Sequence, residues 1–305
     1  MASLRARLVN LALPLLGIKK FFSEPDRLEE RIAKLRTDAP IRPKAKWSRH
    51  FAIAEDAGRG YPVVTIAPHG GAQPGAPHLL YLHGGGYVMD IAAVHWDTVM
   101  DLCQRLGASA TVPIYPLAPE TKAAETLEKM QALYLELAET HGAQNITVMG
   151  DSAGGGMSLA LAQMLKAGGH PLPGSLVLYS PWVDATASAE GQRAIEKRDR
   201  MLAVSGLEAC GEMYRGDLPV DDPKVSPLFG PLEGLPPMAI FSGTSDILLV
   251  DGRRLAEKLA HDGMPRHIYR EYDDMFHVWM LLPVPEGRQA REETVAFVRK
   301  HRTAA

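Results

Sequence analysis

The sequence predicts an α/β fold with a mostly parallel central sheet flanked by helices on both faces. Two observations carry that expectation. From residue 79 onward, short apolar runs of strand length alternate with longer amphipathic stretches of helix length, the pattern of consecutive strand–helix units. In the middle of this alternation, Gly150, Asp151, Ser152, Ala153 and Gly154 join a strand pattern (Ile146, Val148, Met149) to a helix pattern (Met157, Leu161, Leu165). A serine with glycines two positions before and after it fits a turn so tight that larger residues there would clash, leaving the hydroxyl exposed over the strand end.

The 305 residues allow one or two domains, and 46% hydrophobic with 23% charged residues is ordinary for a globular chain with a large core. A net charge of −3 gives no general reason to bind nucleic acid or an anionic surface, so partners must be sought locally. Cys103 and Cys210 lie in helix-like apolar patterns and read as core thiols of a reducing compartment, which places the chain in the cytoplasm. There is no Cys/His spacing of metal-ligand type, and no metal or organic cofactor is expected.

At the start of the chain, Leu4, Leu8, Leu11, Leu15 and Ile18 recur at helical spacing, which predicts an amphipathic helix kinked near Pro14 and packed by that face on the body. Asn10 and Pro14 interrupt the run, Lys19 and Lys20 close it and no small-residue cleavage site follows, so it is not read as a signal peptide. It is too short to span a bilayer, and stable membrane insertion is not expected. A helix lying on a membrane surface is the alternative, supported by Arg5, Arg7, Lys19 and Lys20. Residues 25–36 predict a second, mostly exposed helix, ended by Pro40 and Pro43, and a proline-rich basic connector leads on to the main body.

The body opens with two β-rich segments, residues 51–55 and 61–68, that suit a hairpin around Gly58 and Gly60. Strands are then expected at 79–82, 110–115, 146–149, 176–179, 238–241 and 267–272, and helices at 92–106, 122–140, after Ser152, 252–261 and 287–301. A polar, glycine-bearing stretch interrupts the alternation after residue 179.

Ligands of such sheets lie at the carboxyl ends of the strands. Residues 79–82 run into His83, Gly84, Gly85, Gly86 and Tyr87, where glycines leave backbone N–H groups open to an oxyanion and the histidine can tie the loop down. Neither glycine loop continues into the lysine of a phosphate-binding loop. Residues 238–241 lead to Asp246, and residues 267–272 lead to His277. The order Ser152, Asp246, His277 is that of an α/β-hydrolase triad. Asp251 falls inside the next helix, Asp273 and Asp274 are too near His277 to reach it without the loop folding back, and Ser180 and Ser242 lack flanking glycines.

These residues resemble the hormone-sensitive-lipase-like group of α/β-hydrolases, the bacterial family IV carboxylesterases. The motifs that carry the resemblance are HGGGY at 83–87, YPLAPE at 115–120, GDSAGG at 150–155, DPKVSPL at 222–228, Asp246 and His277, and together they cover roughly residues 60 to 300. The chain departs from the group after Asp246, where Ile247 to Asp251 replace the frequent D-P-L-x-D-E run, and after His277, where Val278 and Trp279 replace the common Gly-Phe. The resemblance implies a helical cap formed by the leader, residues 1–46, and by an insertion at about 184–234 in a catalytic domain of residues 47–305.

It also implies hydrolysis of short- to medium-chain acyl esters through Ser152, Asp246 and His277, with an oxyanion hole of Gly84, Gly85 and Ala153 N–H groups. Tyr87, Trp182, Met213 and Trp279, with Met89, are the candidate pocket walls. The expected partner is a small ester, with no nucleic acid, and the group leaves room for a homodimer. Lactone hydrolysis on the same site and a non-catalytic ligand receptor are the alternatives, the latter disfavoured because His277 is present.

Overall fold

The computed structural model describes residues 2–72, 75–264 and 266–301. Eight strands form one sheet in the order β1-β2-β4-β3-β5-β6-β7-β8. β1 (Phe51–Asp56) and β2 (Val63–Pro68) are the expected hairpin, and β2 also pairs antiparallel with β4 (Ser109–Pro113). From there every pairing is parallel, through β3 (His78–Leu82), β5 (Ile146–Asp151), β6 (Ser175–Tyr179), β7 (Met238–Gly243) and β8 (Ile268–Tyr272). The central strands β3 to β7 are buried at every position. That explains why they read as short continuous apolar runs, not as alternating ones.

The crossover helices are α4 (Ala93–Leu106), α5 (Ala123–His141), α6 (Ala153–Ala167) and α9 (Leu249–His261), and α10 (Pro285–His301) follows the last strand. Glycine fixes two approaches that set the site. A Cβ on Gly150 would lie 2.4 Å from the carbonyl of Gly154, and one on Gly154 would lie 2.0 Å from the carbonyl oxygen of Leu82. Only hydrogen fits at either position, so the start of α6 can press onto the ends of β3 and β5.

The leader holds α1 (Leu4–Ala12), a 3-10 turn at Leu13–Leu16, α2 (Ile18–Ser23) and α3 (Leu28–Leu35). The break near Pro14 is completed by Gly17, whose φ of 72° reverses the chain into α2. The face that α1 presents to the body corrects the sequence expectation. Ala2, Ala6 and Leu13 are buried, whereas Leu4, Leu8, Leu11, Leu15 and Leu16 are exposed. Periodicity reports that two faces differ, not which one is covered, and here the small residues allow the close approach while the leucines point outward. Ser3 fixes the start of α1, since its N–H donates to Glu286 Oε1 at 2.5 Å and its hydroxyl to Glu286 Oε2 at 3.0 Å.

Between β6 and β7 lie α7 (Gln192–Glu196) and α8 (Val204–Arg215). α8 packs closely on α2, because a Cβ on Gly206 would lie 2.2 Å from the carbonyl oxygen of Phe22. The residues read as DPKVSPL clamp the ends of this excursion together. Ser226 Oγ accepts from Ala185 N–H at 2.8 Å, and Leu228 N–H donates to the Val183 carbonyl at 3.0 Å. Among the described residues no helix is long and apolar enough to cross a membrane.

Candidate active site

Ser152 occupies the turn between β5 and α6 with φ 51° and ψ −121°, a positive-φ conformation sparsely populated by residues with a side chain, at a cost of about 1–3 kcal/mol. The strain persists because the turn is over-determined. Ser152 N–H donates to the Tyr179 carbonyl at 2.8 Å, and the Ser152 carbonyl accepts from Trp182 N–H at 3.0 Å and Gly156 N–H at 3.1 Å.

The loops after β7 and β8 are zipped together. Thr244 N–H donates to the Tyr272 carbonyl at 3.0 Å and Ser245 N–H to the Met275 carbonyl at 2.9 Å, an approach open only because Gly243 has no Cβ to meet that same carbonyl. This zipper places His277 Nδ1 2.8 Å from Asp246 Oδ2. The bond orients the imidazole and leaves Nε2 as its other ring nitrogen. Asp246 Oδ1 accepts from Leu248 N–H at 2.9 Å.

Burial pushes the His277 pKa down, but the charge and hydrogen bond of Asp246, helped by Asp199 and Asp151, outweigh it and hold the imidazole above its ordinary value. Asp199 is a participant that sequence reasoning missed. Its Oδ2 accepts from Ile247 N–H at 2.9 Å, next to Asp246, while Oδ1 accepts from Met201 N–H at 2.8 Å and Leu202 N–H at 2.9 Å. Burial, then the nearby Asp246 charge, push its carboxyl up to about 6 despite these three donors. In the sequence it stands in Lys197-Arg198-Asp199-Arg200, which reads as a solvated charge run.

Asp251, the competing acid, is instead buried under residues 183–192, accepting from Val183 and Asp184 N–H groups and from Gln192 Nε2. His83 ties its loop down as expected. Its Nδ1 bonds the Gly84 carbonyl at 2.7 Å, its own carbonyl accepts from Tyr115 Oη at 2.6 Å, and the two rings stack at 4.2 Å.

The glycine loop requires one correction. Gly84 N–H donates to Asp151 Oδ1 at 3.0 Å, so this donor is already occupied. Asp151 also accepts from Tyr81 Oη at 2.6 Å and pairs with His95 Nε2 at 3.3 Å, which keeps the carboxylate fixed beneath the loop. His95 Nδ1 accepts from Ala92 N–H at 2.8 Å, so the neutral ring carries its proton on Nε2 and donates it to Asp151. Gly84, Gly85 and Gly86 all line the cavity, the last two with φ values of 122° and 61°. Ala153 is the first residue of α6, where a backbone N–H has no acceptor within its own helix.

Ser152 and His277 line the same cavity, of about 150 Å³. Its walls are Met89, Val94, Val278 and Leu281 from the body, Ile18 and Phe22 from α2, and Met201, Leu202 and Leu207 from the excursion before β7. Of the candidate walls only Met89 is among them. Tyr87 stacks on Tyr214 at 3.6 Å beside Trp182, Trp279 packs on Tyr272, and all three candidates are buried core. Met213 lies in α8, where its carbonyl accepts from Lys122 Nζ.

A serine raised on a strained strand–helix turn, sharing a cavity with an imidazole held by a carboxylate at the carboxyl edge of a parallel sheet, fits the class of α/β-hydrolases. Comparison with known proteins agrees: a family described by the α/β-hydrolase fold matches residues 79–281. A triacylglycerol lipase of Mycobacterium tuberculosis is 35% identical over 68% of this chain, the match spanning 42% of that longer protein. An acetyl-hydrolase of Streptomyces hygroscopicus is 35% identical over 72% of this chain and 75% of its own length. The crystal structure of an esterase from the bacterial hormone-sensitive lipase family superposes with a TM-score of 0.77 at 28% identity, covering 92% of this chain and 99% of that one. The chain belongs to the α/β-hydrolase family, among its hormone-sensitive-lipase-like carboxylesterases.

Proposed function

We propose that the chain hydrolyses short-chain carboxylic esters through an acyl-enzyme on Ser152. The bond between His277 and Asp246, beside the cavity that Ser152 shares, is the observation that carries this reading. His277 Nε2 takes the proton of Ser152 Oγ as the oxygen attacks the ester carbonyl carbon. The carbonyl oxygen becomes an oxyanion, received by the N–H groups of Gly85, Gly86 and Ala153. Collapse of the tetrahedral intermediate expels the alkoxide, which leaves with the proton from His277. Water, deprotonated by the same imidazole, then attacks the acyl carbon, and the serine regains its proton as the carboxylic acid departs. Asp246 holds the ring in the tautomer this requires and stabilises the imidazolium that forms.

Residues 1–46 and 184–234 act as the cap over this site, a reading supported by the share of the walls that α2 and residues 201–207 supply. A cavity of about 150 Å³ suits a small acyl group, since an apolar space of about that size takes a single benzene-sized guest. The acetyl-hydrolase relative points the same way. Turnover of a p-nitrophenyl ester series from acetate upward, beside a lactone and an anilide, tests the assignment. Highest kcat/KM on the shortest esters is expected, and turnover of the lactone or anilide alone would contradict it.

A further inference from the structure

The described residues carry eight large hydrophobic side chains that are exposed, and five of them fall within residues 4–16. Leu4, Leu8 and Leu11 share one face of α1, and the exposed Leu15 and Leu16 follow on the next turn. Leu4 is 74%, Leu11 72% and Leu15 88% exposed. Contiguous apolar patches of this kind mark interaction surfaces, whereas leucines scattered singly would need no explanation. The patch is held rigidly, since Ser3 is bonded to Glu286 at one end and Lys19 donates to the carbonyls of Glu196 and Leu202 at the other.

Charge selects the occupant. Residues 1–23 contain Arg5, Arg7, Lys19 and Lys20 and no Asp or Glu, in a chain whose net charge is −3. Arg5, Arg7 and Lys20 are exposed together with the leucines. An apolar helix face rimmed by cations fits the boundary of an anionic lipid layer, where apolar burial and attraction to headgroups add. The segment also leads directly into the site, because Ile18 and Phe22 line the cavity.

We propose that the leucine face of residues 4–16 docks on an anionic lipid surface and holds the α2 wall of the cavity beside it, so that esters dissolved in the lipid are within reach. The docking stands on the surface alone; the delivery of substrate rests on the esterase reading above.

Flotation of the full chain with vesicles of phosphatidylglycerol and phosphatidylcholine, against phosphatidylcholine alone, tests the docking. The protein is expected to float with the anionic vesicles and to be released by salt. In the double variant Leu8→Gln and Leu11→Gln, which keeps good helix formers, the bound-to-free ratio should fall at least about tenfold. Turnover of a water-soluble short ester should be equal in both proteins, which shows the variant folded. Failure to float, or equal binding to neutral vesicles, would overturn the proposal. So would a dimer, seen by light scattering, that the double variant dissociates while vesicle binding is absent. Loss of soluble-ester turnover in the unmodified chain would instead count against the esterase reading and leave the flotation result standing.

Discussion

Asp199 is tied to the acid loop through Ile247: its carboxylate accepts the Ile247 N–H at 2.9 Å, one residue beyond the Asp246 that holds His277. Two buried carboxylates therefore stand behind one imidazole. The same Asp199 accepts from Met201 and Leu202, both of which line the cavity, so one side chain links the orientation of the base to the shape of the pocket.

The pH dependence follows from this arrangement. His277 must be neutral to act as base, so kcat/KM falls as pH drops through its pKa. Burial lowers that pKa, but Asp246 first and then Asp199 and Asp151 raise it above the ordinary 6.5. The acid limb is therefore expected to have its midpoint above pH 6.5. Asp199→Asn removes one negative charge and should move the midpoint to lower pH, measured as kcat/KM against pH on a soluble ester. A limb that stays in place would show that Asp199 only shapes the loop.

Gly154 should tolerate no side chain. In Gly154→Ala the new Cβ meets backbone, the Leu82 and His83 carbonyl oxygens at 2.0 and 2.6 Å, not a side chain that can turn away. We expect at least about 3 kcal/mol of destabilisation, read from the denaturant midpoint. A midpoint within error of the parent would mean that α6 does not press on β3 as described.

Much of this was legible in the sequence, and the exceptions have physical reasons. Ser152 and Asp246 follow buried strands and His277 follows the half-exposed edge strand β8, and a parallel sheet carries the ends of all three strands to one edge, so chain order points to a shared site. Of the expected donors, Gly84 N–H is taken up by Asp151, because a glycine run shows where N–H groups are accessible but not that a buried carboxylate claims the first. Of the candidate walls Met89 lines the cavity, whereas Tyr87, Trp182 and Trp279 fill the core, because large aromatics fill cores as readily as pockets. Asp199 was hidden by its charged neighbours. The leucine face of α1 reads as inward in the sequence but is exposed in the structure, because apolar periodicity carries no sign.

Val278 departs from the glycine common in the group, and the position explains why glycine is used there. Its φ is 49°, a conformation unfavourable for a β-branched residue, and its side chain lines the cavity. Val278→Gly should relieve about 1–2 kcal/mol of backbone strain. Against this stand the extra freedom of glycine in the unfolded chain and the lost contacts of a half-buried valine, so net stability should change by less than about 1 kcal/mol. The cavity widens, and the ratio of kcat/KM on hexanoate to that on acetate esters should rise. An unchanged ratio would remove Val278 from the acyl wall.

The central claim, that Ser152 Oγ forms the acyl-enzyme, is tested most directly by Ser152→Ala. Ester turnover should fall by about 10⁴-fold or more, with circular dichroism and the unfolding midpoint showing an intact fold. Incubating the parent chain with a phosphonate ester should add the phosphonyl mass to the peptide that contains Ser152, and the variant should take up none. Parent-like turnover in the folded variant, or an adduct on another residue, would contradict the account.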